Sequence, residues 1–227
     1  TSIIGTAVAI AIGVPIGILT AVFITEVSNK KIAAIVQPAV ELLAAIPSVI
    51  YGLLGMMLLN PLMYKLEKHI FAGSTTHQFT GGANLLSAII VLAIMILPTV
   101  INISVSSIRA VPGHMKAASL ALGATHIQTI FKVMIPAAKS GILAAVILGV
   151  GRALGETMAV MMVVGNQPRV PNSILQGVRT LTTNIVMEMG YATDLHREAL
   201  IATGVVLFAF ILIINLCFSA IKRSGKE

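Results

Sequence analysis

Five apolar runs divide this chain, extending from about Ser2 to Thr25, Ile32 to Leu59, Leu85 to Ile103, Ala137 to Val164 and Ala199 to Ile221. A helix of about 20 apolar residues crosses the hydrocarbon core of a bilayer. Backbone in lipid must satisfy its own hydrogen bonds, so each run is predicted as a helix. The fold class is therefore all-α, a polytopic membrane protein. Composition excludes a soluble domain: 57% of residues are hydrophobic, 10% are charged, and mean hydropathy is +0.98. A soluble surface needs far more charge. The net charge of +7 reads as loop bias across a membrane. The basic residues are dispersed without interleaved aromatics, which excludes a nucleic-acid partner.

Punctuation within the runs predicts how they pack. Gly13 and Gly17 form a G-x-x-x-G pair that admits a close neighbour, with Pro15 bending the helix between them. Pro47 interrupts the second run and frees a carbonyl that the bundle must satisfy. Tyr51, Gly52 and Gly55 give that run a small-residue face. Asn60 to Asn84 reads as a polar loop. Gly165 to Glu198 is polar too, and its middle, Ile174 to Met189, is amphipathic enough for a short helix on or dipping into the membrane. Cys217, the one cysteine, lies in an apolar run and is expected as a small packed side chain. The chain opens almost directly into an apolar run, with Thr at residue 1 and no basic leader. That run is predicted as a span rather than a cleavable signal. Residues 1–227 are expected to form one membrane domain, with an N-terminal part of the natural chain missing. No metal-ligand spacing occurs among the histidines, and no G-x-x-x-x-G-K-[ST] phosphate loop is present.

One stretch between spans is not itself a span. From Ala117 to Pro136 the sequence is mostly amphipathic. Met115, Ala118, Ser119 and Leu122 recur at helical spacing after Pro112, which suits a first turn. Gly123 can end that helix in a left-handed conformation. Ile127, Ile130, Phe131 and Met134 then share one face of a second short helix. The bland alternative is a helical hairpin on the membrane surface. The sharper reading is a surface on which a partner protein docks.

The fourth run contains two charges. Arg152 and Glu156 fall near mid-membrane, where each costs about 2.5–3.5 kcal/mol before pairing. At i and i+4 they are predicted to share a helix face and pair. Gly151 and Gly155 form a second G-x-x-x-G. A structural ion pair is one reading; a charged lining for a polar pathway is the other. The planar fork of an arginine suits an oxyanion. Glu41, in the second run, is either a further pathway carboxylate or one that reaches water at the cytoplasmic edge.

Positive charge orients the five spans. Lys30, Lys31, Arg109, Lys116, Lys132, Lys139, Lys222, Arg223 and Lys226 fall on one side. Lys65, Lys68, Arg169, Arg179 and Arg197 fall on the other, in longer loops. The insert and C-terminus are expected to be cytoplasmic and the N-terminus outside.

The insert resembles the coupling loop of ABC importer permeases: Glu-Ala-Ala, three residues, Gly, nine residues, Ile, one residue, Leu-Pro. Ala118, Ser119, Gly123, Val133, Ile135 and Pro136 fall on that register, and Ala117 stands at the glutamate position. The runs Gly151 to Val160 and Glu41 to Gly52 resemble the phosphate-specific (Pst) permeases of PstC type. The resemblance implies a type I ABC importer transmembrane domain with five core helices and a cytoplasmic coupling helix. It implies ATPase coupling through about 110–136, with Ala117, Ala118, Ser119, Gly123, Ala124 and Pro136 at the contact. It places Arg152, Glu156, Thr157 and Glu41 on the substrate pathway. The implied partners are a PstA-like second permease, an ATPase dimer, a periplasmic or lipid-anchored phosphate-binding protein, and phosphate, in a bacterial cell membrane. The chain itself would be no enzyme and hold no cofactor, because the partner ATPase binds Mg-ATP. Permeases for sulfate or molybdate, an ion-coupled carrier using Glu41 or Glu156, and a passive scaffold are the alternatives. The insert argues against a carrier, and the mid-membrane charges against a scaffold.

Overall fold

The computed structural model describes residues 2–73 and 78–224. The first span, α1 (Ser2–Val22), runs unbroken past Pro15 and continues through a π turn, Phe23–Val27. Its two glycines bring it against α5 (Leu85–Arg109), the central helix. A Cβ at Gly13 would lie 2.7 Å from Ile96 Cδ1, and one at Gly17 would lie 2.7 Å from Val100 Cγ1. Ile96 and Val100 are fully buried. The core is built around α5 in two layers. The outer layer includes Leu85 to Ile96 with Tyr51, Ala153 and Val160. The inner layer joins Ala21, Ile24 and Val40 to Ile101, Val105, Ile130 and Met134.

The expected second span, Ile32 to Leu59, is corrected: α2 (Lys30–Ala45) ends at a break at Ile46–Pro47, and the stretch long and apolar enough to cross a membrane is Ser48–Ile70, which begins with α3 (Ser48–Leu54) and a π turn, Gly55–Leu59. Asn29 caps α2 by accepting the Ile32 N–H at 2.8 Å. Pro47 withholds an N–H from the Leu43 carbonyl four residues earlier. That carbonyl instead accepts the Ile46 N–H at 3.3 Å and the Tyr51 hydroxyl at 2.7 Å. The helix does not stop at Leu59: α4 (Asn60–Ile70) follows directly, so the first part of the expected 60–84 loop is helical. Pro61 occupies its first turn, where proline is tolerated. Polar residues such as Lys65 and Lys68 gave the segment its loop-like composition, while Glu67 is buried and accepts the Thr80 N–H at 2.9 Å.

The amphipathic insert folds as α6 (Gly113–Ala121), α7 (His126–Thr129), a π turn, Ile130–Met134, and α8 (Ile135–Ala137). The expected fourth span, Ala137 to Val164, keeps its ends within two residues and is corrected in its interior. Helix α9 covers Lys139–Gly155, the backbone leaves helical geometry at Glu156–Thr157, and α10 (Met158–Val163) resumes. The stretch His126–Ala137 meets α9 at 70°. After α10, α11 (Leu181–Glu188) is the short helix expected in the polar segment, and α12 (Asp194–Ser224) is the last span. Among the described residues four helices are long and apolar enough to cross a membrane, or five with the bent pair as one span. Most of α12 faces away from the bundle, and Cys217 on it is exposed rather than packed.

Candidate functional site

The break in the fourth span overturns the expected i, i+4 pair. A Cβ at Gly149 would lie 3.2 Å from Val100 Cγ2, which sets that turn at the middle of α5. Arg152 is about 4.5 Å further along α9 at 1.5 Å per residue. Its Nε is buried without a hydrogen-bond partner. Tyr51 lies within electrostatic reach of the guanidinium. Glu156 has left the helix, with ψ 127°. Its Oε1 instead accepts the Ala159 N–H at 3.0 Å and so caps α10. Thr157 Oγ1 donates to the Gly155 carbonyl at 3.2 Å. No hydrogen bond or ion pair joins Arg152 to Glu156 among the described residues. The helix breaks because the sequence offers two local competitors: a glycine before the break, and a carboxylate that bonds the backbone three residues on.

The outer segment completes the break. Thr182 Oγ1 donates to the Glu156 carbonyl at 3.2 Å, so α11 reaches the depth of the break. A cavity of about 20 Å³ lies beside it, lined by Ser2, Thr6, Glu156, Thr180 and Thr182 among apolar side chains. That volume is about one water. Arg179 pins the segment: it donates to the Asn166 carbonyl at 3.1 Å and to Glu188 Oε1 at 2.6 Å. The Tyr191 hydroxyl, followed by Arg179, holds the Glu188 carboxyl below the ordinary carboxylate range against its partial burial. The Glu188 bond in turn raises Tyr191 above the ordinary phenol range. The Leu85 and Leu86 N–H groups donate to the Gln176 and Ile174 carbonyls at 3.0 and 2.9 Å, closing the outer end of α5.

The second glycine pair does not behave like the first. A Cβ at Gly151 or Gly155 would meet nothing within 4 Å, and Leu148 on the same face is 55% exposed. Glu41 stands apart from the break. It is exposed on α2 and accepts from Gln37 Nε2 at 3.1 Å.

The amphipathic insert is assembled from local signals. Gly123 has φ +84°. The Gly123 N–H donates to the Leu120 carbonyl and the Ala124 N–H to the Ser119 carbonyl, a Schellman stop. Thr125 and Gln128 form a capping box that starts α7. Ser119 and Thr129 hydroxyls, 2.9 Å apart, tie the two helices together. Ala117, Ala118, Gly123 and Pro136 are exposed, while Ser119 and Ala124 are partly buried. Leu122 is 89% exposed and Ile127 69%. Sequence reasoning missed two participants. Tyr51 was signalled only by a hydroxyl near a proline break. Glu26, at the inner end of α1, bonds Lys116 of the insert, and His126 approaches the same carboxylate at 4.0 Å. Among the described residues no three His, Cys, Asp or Glu gather where a metal ion could be held.

Comparison with known proteins places these features. The sequence profile described as "Binding-protein-dependent transport system inner membrane component" matches residues 13–224. The chain is 41% identical over 210 residues to the probable ABC transporter permease protein YqgH of Bacillus subtilis, covering 90% of this chain and 65% of that protein. It is 36% identical to the phosphate transport system permease protein PstC of Mesorhizobium japonicum, covering 94% and 68%. Identity to the PstC of Xylella fastidiosa is 35%, covering 100% and 73%. The chain thus spans about two thirds of the length of the curated relatives it matches. The inward-facing MetNI methionine ABC transporter superimposes with a TM-score of 0.67 at 20% identity, covering 99% of this chain and 90% of that one. A bacterial ABC transporter involved in alginate import superimposes at 0.70 and 17% identity, covering 98% and 77%.

Proposed function

The chain belongs to the family of binding-protein-dependent transport system inner membrane components, and from that premise we propose that it is the permease subunit of an ATP-driven phosphate importer. It is a multi-pass membrane protein with the all-α transmembrane architecture of type I ABC importers. Phosphate comes to it from relatives named as phosphate transport permeases at 33–36% identity.

The observation that carries the reading is the open break at Gly155–Thr157. Non-helical backbone at membrane depth is tolerated only inside protein or beside a water-filled cavity. The open face of Gly151 and Gly155, with Arg152 beside it, therefore fits a boundary with a second permease rather than lipid. An anion passing along that boundary would meet the Arg152 guanidinium and the Thr157 hydroxyl. Glu156, bound to the α10 backbone, would hold the break open and keep the site from becoming a permanent anion trap. Glu41, exposed on α2, would lie nearer the inner mouth.

On the cytoplasmic side, the insert would dock in an ATPase that binds Mg-ATP. The partners are then an ATPase dimer, a PstA-like permease and a phosphate-binding protein delivering to the outer face, with the N-terminus outside. The chain itself would hydrolyse nothing. Uptake of labelled phosphate by the reconstituted importer tests this reading. ATP-dependent uptake that Arg152→Gln abolishes, with normal membrane insertion, supports it. Undiminished uptake by that variant rejects the pathway assignment.

A further inference from the structure

The docking insert has no acidic residue of its own. From Gly113 to Gly141 its charges are Lys116, Lys132 and Lys139, accompanied by His114 and His126. The carboxylate that meets it comes from the first span. Glu26 sits in the π turn at the inner end of α1, with its side chain 8% exposed, and bonds Lys116 90 residues away. His126 reaches the same carboxylate at 4.0 Å. One carboxylate thus faces both helices of the insert, α6 and α7. A second contact runs beside it: Ile24, in the same π turn, is buried in one apolar cluster with Ile130 and Met134 of the insert. The π turn is itself informative, because an extra residue in a helical turn re-aims the side chains after it and recurs at functional sites.

The other end of α1 is also tied. Ser2 Oγ accepts the Leu181 N–H at 3.0 Å, at the start of α11. Ser2, Gly5 and Thr6 line the small cavity beside Glu156. Together α1 and its π turn form one continuous helical stretch of 26 residues, Ser2–Val27, wedged on α5 at Gly13 and Gly17. It spans the distance from the docking insert to the break.

We propose that Glu26 is the joint through which the docking insert moves the first span, and that α1 carries that movement as a rod to the outer segment at Leu181, beside Glu156. This rests on the reading of the insert as the ATPase contact. Glu26 is a positioning residue: it touches the insert, not the substrate. The charge asymmetry explains why the joint is an ion pair, since an insert with only cations finds its counter-ion on the element it must move. Coupling through a continuous rigid element needs no wire of side chains between the sites.

The test uses the complete importer in proteoliposomes, with Glu26→Gln, Lys116→Met and the swap Glu26→Lys with Lys116→Glu. Three quantities are read: ATPase retained in the purified complex, phosphate imported per ATP hydrolysed, and the nucleotide-dependent change in hydrogen exchange over residues 180–188. The single variants should keep the ATPase, lose about fivefold or more in phosphate per ATP, and flatten the exchange response. The swap should restore both to within about twofold, as a paired interaction requires. Single variants that couple normally, or an assembled swap no better than the singles, overturn the joint. If the unmodified complex imports no phosphate, the function above fails instead. The exchange response still decides the rod, because it needs only nucleotide, and an outer segment that ignores nucleotide in the unmodified complex rejects it.

Discussion

Glu156 caps α10 rather than pairing with Arg152: its Oε1 accepts the Ala159 N–H at 3.0 Å, across a break that separates it from the helix bearing the arginine. Two substitutions separate this role from its charge. Glu156→Gln keeps an oxygen acceptor and should leave the thermal midpoint near that of the unmodified chain, while changing uptake. Glu156→Ala should lose about 1 kcal/mol, the usual worth of such a cap. Equal midpoints for the two variants in detergent would contradict the cap.

Arg152 is predicted to be irreplaceable by lysine. Its Nε is buried and unpartnered, which leaves a donor for an oxyanion. Lysine keeps the charge and loses the fork. Arg152→Lys should lower the uptake rate about tenfold or more, the scale of one lost charged hydrogen bond. Membrane insertion should be normal by fractionation.

Two glycines, Gly52 on α3 and Gly151 on α9, should respond in opposite ways. A Cβ at Gly52 would stand 2.8 Å from Ala159 Cα, so Gly52→Ala must part α3 from α10 at about 1–3 kcal/mol. Gly151 faces open space, and Gly151→Ala should not destabilise the isolated chain, because alanine favours helix by about 1 kcal/mol. It should instead reduce the partner permease that co-purifies. Thermal midpoints and co-purification together check the pair.

The outer segment should have a defined pH window. Glu188 is held below the ordinary carboxylate range, first by Tyr191 and then by Arg179. Its contribution is therefore complete above the unfolded carboxylate pKa and is lost as pH falls through the depressed folded value. Tyr191 is raised by Glu188, so its contribution is complete below the unfolded phenol pKa and is lost as pH rises through the raised value. Protease cleavage between Asn166 and His196 should be slow between these limits and accelerate beyond each. Glu188→Gln should remove the acid limb, and an unchanged acid limb would contradict the network.

How much of this could be read from the sequence depends on the range of the forces involved. The spans were legible because twenty apolar residues have no other stable place. Gly13 and Gly17 announced a close approach, and the structure supplies α5 as the neighbour. The stop at Gly123 and the helix after it were legible because a left-handed cap and a helical stripe are local. The break within the fourth span was not. Spacing alone puts Arg152 and Glu156 on one face, and it does not register that a carboxylate can bond the backbone ahead of it and end the helix. Helix α4 was hidden because its sequence is rich in polar residues, and one of them, Glu67, is satisfied by Thr80 across a loop. Glu26 was hidden for the same reason at longer range, since nothing near it in sequence names Lys116 as its partner.

The central claim is that the insert of this chain couples an ATPase to passage of phosphate, and ATP hydrolysis by the reconstituted complex tests it most directly. The complex would hold this chain at full length, the second permease and the ATPase pair, with the binding protein loaded with phosphate or with sulfate. The account predicts that the phosphate-loaded protein stimulates hydrolysis and the sulfate-loaded protein does not. Stimulation by sulfate alone would contradict the substrate, and no stimulation by either in an assembled complex would contradict the coupling itself.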